Sequence, residues 1–388
     1  MRSFTVDERR ARLARRHLLT AEPNAASITD VCSQLVGLHA TDPTTPYLSL
    51  WARMPGFEVA DLEAALYQDR SVVKHLAMRR TLWVLTAGDL AAVQTAASDR
   101  VAANERKRLI ADVQRAGIAD DGEKWLGHAS KAVLAHVQKH GPTGARELRE
   151  ALPQLAGHHD PAPGKPWGGA TPVAPRVLTV LAVEGLLVRG TNDGTWTTAR
   201  PRWTSASAWL GAAEGPAAAD AARSAVVLAW LRAFGPATVN DLKWWFGSTL
   251  TWARAGLRDV GAVEVDLHGT PGYVLPDDLD PEPHVDPWCA LLPGLDVTTM
   301  GWQARDWYLG QHGSQVFDTR GNAGPTAWYD GRVVGGWRQD DEGRVVVQLL
   351  EDVGAKASKA FARKADQLTD WLNGVRINPR FPSPLTKS

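Results

Sequence analysis

The feature that most constrains the fold is a diverged internal repeat. Val133-Leu134-Ala135 leads to Gly141-Pro142 and then to Glu147-Leu148. An offset of 94 residues (133 to 227, 141 to 235, 147 to 241) gives Val227-Leu228-Ala229, Gly235-Pro236 and Asp241-Leu242. Identical spacing in both copies reads as one supersecondary unit used twice. In the second copy Val226, Val227, Trp230, Leu231 and Phe234 fall on one face of a helix. The Gly-Pro pair ends that helix, because proline disfavours helical geometry in the residue before it. Short second helices follow over 143–152 and 238–246, and third helices over 175–184 and 251–260. Each third helix runs into a glycine, Gly185 or Gly261, suited to a left-handed cap.

β-prone segments come next. Leu186-Leu187-Val188-Arg189 pairs with Thr195-Trp196-Thr197 across the turn residues Asn192-Asp193-Gly194, and Val263-Glu264-Val265-Asp266 pairs with Tyr273-Val274-Leu275. Three helices and a hairpin make a winged helix, a helix-turn-helix variant whose third helix usually enters the major groove of DNA. Residues 128–215 and 216–286 are therefore expected to form two successive winged-helix modules. Residues 1–127 show helical patterns over 8–20, 28–37 and 59–69, then strands over 72–76 and 81–85, which fits a third, more diverged module. From 287 to 388 short strands alternate with turns, and an amphipathic helix over 356–372 closes the chain. The expected fold class is α+β: three tandem winged-helix modules followed by a small C-terminal β-barrel.

Charge narrows the function. Lysine plus arginine equals aspartate plus glutamate at 43 each, so the net charge is zero, which argues against an indiscriminate polyanion binder. The charge is nevertheless clumped. Arg9, Arg10, Arg12, Arg15, Arg16 and His17 crowd the first helix, Arg106-Lys107-Arg108 follows, and Lys356, Lys359, Arg363 and Lys364 recur near the end. Such clusters read either as solvated helix surfaces or as a basic face for nucleic acid. Acidic residues gather in Asp277-Asp278-Leu279-Asp280 and Asp340-Asp341-Glu342.

Cys32 and Cys289 are far apart and fit neither a disulfide framework nor a cysteine-ligated cluster. His158-His159-Asp160 lies in a Gly/Pro-rich loop over 153–172, and adjacent histidines there point apart rather than converging on a metal. No metal and no cofactor are expected. No apolar run is long enough to span a bilayer, and the charged first residues differ from a signal peptide, so the expected location is cytoplasmic.

One segment looks arranged for chemistry. In Gly37-Leu38-His39-Ala40-Thr41-Asp42-Pro43, Gly37 and Pro43 bracket a helix end, placing His39 and Thr41 in a turn. Imidazole accepts a proton near neutral pH and a threonine hydroxyl can orient water, although a helix-capping turn explains the same residues. This run, with Tyr47-Leu48-Ser49-Leu50-Trp51-Ala52-Arg53, Ala77-Met78-Arg79-Arg80-Thr81-Leu82-Trp83-Val84, Leu291-Leu292-Pro293-Gly294-Leu295-Asp296, Gly301-Trp302-Gln303-Ala304-Arg305 and Asp330-Gly331-Arg332-Val333-Val334-Gly335-Gly336-Trp337, resembles the family that includes the AlkZ and YcaQ DNA glycosylases.

The resemblance spans nearly the whole chain. It implies three winged helices and a β-barrel around duplex DNA, with excision of bulky or crosslinking alkylpurines. Characterised members carry glutamine, an apolar residue, then glutamine or aspartate; here the matching residues are His39, Ala40 and Thr41, so both polar members differ. The reading that follows is a monofunctional glycosylase in which His39 and Thr41 position water and Asp42 supports His39 or the turn. Arg79, Arg80, Arg176, Arg200, Arg202, Trp203, Trp302 and Arg305 are the candidates for holding DNA, since an arginine fork suits phosphate. The expected partner is double-stranded DNA containing alkylated purines, bound by a monomer. The alternative is a non-catalytic winged-helix DNA-binding protein, a regulator or a lesion-binding protein.

Overall fold

The computed structural model describes residues 1–20, 26–165, 168–211 and 217–386. Two compact units divide the chain. One holds Met1–Leu62, Val84–Thr86 and Arg223–Ser388; the other holds Glu63–Trp83 and Ala87–Ala222. Residues 1–127 are thus shared between the two. The boundary expected at 215/216 lies outside the described residues.

In the first unit the chain starts with the helix Val6–Arg16, whose N-cap Thr5 hydroxyl accepts from the Glu8 N–H at 3.1 Å. Asp7 and Glu8 in its first turn and Arg15 and Arg16 in its last complement the helix dipole. Its arginines do not form an open basic face. Arg12 Nη1 pairs with Asp278 at 2.8 Å, Arg16 grips the same carboxylate through Nη1 and Nη2 at 2.9 and 2.6 Å, and Arg15 meets Glu282 at 3.2 Å. Arg9 lies over the Trp307 ring at 4.2 Å, and Arg10 Nη2 donates to the Trp307 carbonyl at 2.7 Å. Within the acidic run after the second repeat's hairpin, Asp278 therefore serves the first helix, while Asp277 pairs with Arg232 at 2.8 Å.

The second repeat folds as Ala219–Phe234, Val239–Phe246 and Leu250–Asp259, followed by antiparallel Val263–Leu267 and Thr270–Val274. The face predicted from the sequence is the buried one: Val226, Val227, Trp230, Leu231 and Phe234 are all core residues. Thr238 and Asp241 form a capping box, and Gly247 closes the middle helix in the left-handed conformation. Asp241, fully buried, also accepts from the Gln303 and Ala304 N–H groups at 2.8 and 3.0 Å. This carboxylate thereby anchors the segment that carries Trp302 and Arg305.

The C-terminal strands Cys289–Leu292, Thr326–Tyr329, Arg332–Gln339 and Val345–Leu349 pair antiparallel in that order. The expected barrel is corrected to an open four-stranded sheet. A sheet this narrow does not curl far enough to close on itself, and the helix Gly354–Leu372 packs on both outer strands. It buries Ala357, Phe361, Ala365, Leu368 and Leu372. Roughly every third or fourth residue of that helix is apolar, which is the pattern read from the sequence.

The second unit contains the first repeat: Gly122–His140, Ala145–Ala151 and Ala174–Val183, then antiparallel Leu187–Asn192 and Pro201–Ser205. Its core gathers Leu126, Val133, Val137, Leu148, Val177, Leu178 and Leu181 with Leu109 and Val113 of the helix Asp99–Arg115. The second strand of this hairpin is 201–205, not the expected 195–197. The Asp193 N–H donates to the Arg200 carbonyl at 2.8 Å, and the Asn192 amide donates to the Thr195 and Thr198 carbonyls, so 195–197 sit inside the closed loop. Part of the expected 153–172 loop is ordered too: His158–His159 pairs with Thr171–Pro172, while 166–167 lie outside the described residues.

Candidate active site

The helix Ile28–Gln34 ends through two successive residues in the left-handed region, Val36 at φ 57° and Gly37 at φ 96°. The Gly37 N–H closes back on the Cys32 carbonyl at 2.7 Å. Glycine adopts this conformation freely, but a β-branched valine is held there at a cost of roughly 1–3 kcal/mol. The turn delivers the chain into a two-residue strand, Leu38–His39. His39 therefore lies in extended backbone rather than in the expected helix-end turn, and only the chain after it bends. The His39 side chain is 3% exposed and Thr41 is half-buried. The Thr41 N–H donates to His39 Nδ1 at 3.4 Å.

Asp42 supports the turn. Its Oδ1 accepts from the Thr44 N–H at 3.0 Å and the Thr44 hydroxyl at 2.7 Å, and its Oδ2 accepts from the Arg380 N–H at 2.8 Å. The helix Thr45–Trp51 begins here, with Pro46 in its first turn where no N–H is required. Thr45 Oγ1 donates to the Gly294 carbonyl at 2.7 Å.

At the far end of this helix lies an ion pair with no exposure on either side, Arg53 to Asp296. Arg53 Nη1 and Nη2 reach the two carboxylate oxygens at 2.9 and 2.7 Å. Its remaining donors go to the His17 and Ser49 carbonyls and to Thr298 Oγ1. Asp296 also accepts from Ser49 Oγ at 2.6 Å and the Thr298 N–H at 2.9 Å. Burial alone would raise the Asp296 carboxyl, but Arg53 and these hydrogen bonds outweigh it and hold the group below its ordinary range.

His17 completes the network. Its Nδ1 meets Thr298 Oγ1 at 2.8 Å and its Nε2 meets the Ala233 carbonyl at 3.2 Å. A carbonyl can only accept, so Nε2 carries the proton, and neutral His17 accepts from the Thr298 hydroxyl at Nδ1. Burial, then nearby Arg53, push its pKa down to about 3.

The other candidates divide between the units. In the first, Trp302 is a core residue whose indole N–H donates to the Phe234 carbonyl at 3.0 Å. Arg305 lies between the Trp244 and Phe317 rings, 4.9 and 4.4 Å from their centroids, and burial lowers its pKa. In the second, Arg79 and Arg80 occupy the tight turn Met78–Arg80 at φ 54° and 63°. Arg80 Nε and Nη2 fork onto buried Glu105 at 2.7 and 2.9 Å. Arg176 pairs with Asp112 at 3.1 Å, Arg202 pairs with Glu147 at 3.0 Å, and Trp203 sits in the core under the Arg189 guanidinium. Arg200 is exposed, on a 490 Å³ cavity shared with Arg146 and Thr179.

Sequence reasoning missed Ser49, Arg53, Asp296 and Thr298 as one cluster, although three of them stood in segments singled out above. A lone charge in each of two apolar runs was the available signal. Arg380 carried no comparable signal. Among the described residues, no three histidine, cysteine, aspartate or glutamate side chains group as metal ligands. No helix is long and apolar enough to cross a membrane.

This mixed α/β scaffold with repeated helix-and-hairpin runs has the fold of a solved structure, Streptomyces sahachiroi DNA glycosylase AlkZ. That structure superposes with a TM-score of 0.74 over 97% of this chain and 98% of the other, at 22% identity. The family profile described as DNA glycosylase AlkZ-like matches residues 32–371, so this chain belongs to the AlkZ-like DNA glycosylase family. It is also 32% identical over 200 residues to an interstrand DNA cross-link repair glycosylase of Streptomyces sahachiroi. That match spans 49% of this chain and about half (52%) of that relative's length.

Proposed function

We propose that this protein is a monofunctional DNA glycosylase that hydrolyses the N-glycosidic bond of alkylated purines in duplex DNA. N7- or N3-alkylated bases, including bulky or crosslinked ones, are the substrate class. The observation that carries the reading is the bracing of the His39–Thr41 pair: Thr41 N–H on Nδ1, and Asp42 tied to the following helix and to Arg380. With Nδ1 accepting, a neutral ring keeps its proton on Nε2, so His39 acts as an orienting donor and Thr41 Oγ1 accepts from the attacking water. An N7-alkylated guanine leaves as a neutral base from a cationic glycoside, so the site needs to place water and avoid repelling positive charge on the sugar. A neutral histidine meets both needs without a strong base.

The runs over 128–215 and 216–286 serve as winged-helix modules that hold the duplex, and the protein works as a monomer. Arg200, exposed at the surface of the second unit, is one of the residues that meets phosphate. The second reading, a lesion-binding protein without catalysis, draws on the replacement of both polar motif residues. A single-turnover assay separates the two: the enzyme reading expects free base from a duplex carrying one N7-alkylguanine, with loss of release in His39→Ala and Thr41→Ala. The binding reading expects salt-sensitive affinity and no base release.

A further inference from the structure

We propose that Arg380 is a positioning residue for the His39-Ala40-Thr41 turn, so that the C-terminal tail forms a functional part of the site proposed above and rests on that reading. The tail leaves the last long helix at Asn373, in the left-handed region at φ 43°, and returns past the sheet. Three contacts fix its path: Gln339 Oε1 accepts from the Ile377 N–H at 2.8 Å, buried Ser383 lies against Gly324, and buried Leu385 lies against Gly336. Between these anchors Arg380 meets the candidate turn twice. Its N–H donates to Asp42 Oδ2 at 2.8 Å, and its Nη1 donates to the Thr41 carbonyl at 3.2 Å.

The two contacts act on different atoms of one short turn. Asp42 Oδ1 is committed to Thr44, so Oδ2 is the atom that links the turn to the tail. The Thr41 carbonyl terminates the peptide that follows the proposed water-orienting residue. Holding it fixes the Thr41 backbone, and with it the N–H that donates to His39 Nδ1. Through its N–H on Asp42 and its guanidinium on the Thr41 carbonyl, Arg380 thus constrains the backbone that carries both side chains. Because a misplacement of about an ångström is costly in a site that works by orientation, this tie bears on rate rather than on affinity.

The test uses full-length protein and a duplex with one N7-methylguanine, measuring single-turnover base release at saturating enzyme and the Kd for the same duplex. Arg380→Ala should lower the saturated rate about tenfold, the effect expected for one charge-assisted hydrogen bond, with Kd and Tm unchanged. Arg380→Lys, which keeps a cationic donor, should recover most of that loss. A raised Kd with an unchanged saturated rate would make Arg380 a phosphate contact and overturn the proposal, as would no change in either.

A second arm does not depend on catalysis. Asp42→Asn turns an acceptor toward the Arg380 N–H into a donor or a weaker acceptor, so trypsin should cut the Arg380–Phe381 bond several times faster than in wild type. Equal cutting rates overturn the tie itself. Absence of base release by wild type, with faster cutting in Asp42→Asn, would instead defeat the glycosylase reading while leaving the tie in place.

Discussion

Replacing Asp296 by asparagine isolates the buried pair that holds the helix behind the candidate turn. The carboxylate takes four hydrogen bonds, from Ser49 Oγ, Arg53 Nη1, Arg53 Nη2 and the Thr298 N–H, and neither Asp296 nor Arg53 has exposed side-chain surface. Asp296→Asn keeps the volume but leaves the Arg53 guanidinium without a counter-charge and turns an amide NH₂ toward a donor. Removing one partner of a buried pair costs roughly 3–5 kcal/mol, against a total stability of about 5–15 kcal/mol for a typical domain. The assay is urea unfolding followed by tryptophan fluorescence, reading the transition of the unit that contains residue 296. Arg53→Met combined with Asp296→Leu removes both charges, and this double variant should lie within about 2 kcal/mol of wild type because apolar replacements spare the desolvation of two ions. A loss under about 1 kcal/mol for Asp296→Asn, or a double variant as unstable as the single, would refute the reasoning.

Three further outcomes follow from the same structure. His17 and His75 have folded pKa values pushed down by burial to about 3 and about 4, against 6.5 unfolded. The unfolded chain therefore binds protons that the folded one excludes, and each histidine removes up to about 1.4 kcal/mol per pH unit as pH falls below about 6.5; urea unfolding between pH 4 and 7 checks this, and flat stability contradicts it. Phe361→Ala should cost about 3–5 kcal/mol, because that ring is 2% exposed on the helix covering the open sheet, and thermal unfolding with calorimetry reads it. Arg200→Ala should weaken binding to undamaged duplex and lower the slope of log affinity against log salt by about one; an unchanged slope removes Arg200 from the interface.

Much of the fold was legible where a local rule sufficed. Val226, Val227, Trp230, Leu231 and Phe234 are buried as their periodicity predicts, and the strand 72–76 and the amphipathic helix ending at 372 fall where their patterns put them. Reading failed where a side chain redirected the backbone. Asn192 closes a loop over 193–200, moving the second hairpin strand from 195–197 to 201–205. That the C-terminal sheet stays open was illegible, because its outer strands meet a helix rather than each other.

At the site, His39 and Thr41 stood out as polar residues between Gly37 and Pro43. The fate of the arginines did not, because ion pairing depends on carboxylates far along the chain. Arg12 and Arg16 find Asp278, Arg53 finds Asp296 and Arg80 finds Glu105. A sequence shows that such charges exist but not where their partners lie.

The most direct measurement is product analysis after a single turnover on a duplex carrying one N7-alkylguanine, comparing wild type with the His39→Ala/Thr41→Ala double variant. Mass spectrometry should find free alkylguanine from the wild type, with one abasic site per base released and no strand cleavage. The double variant should bind the same duplex but release base at least a hundredfold more slowly, the order of loss when a positioned catalytic group is removed. An intact lesion after prolonged incubation with the wild type, or equal release by both proteins, would contradict the account.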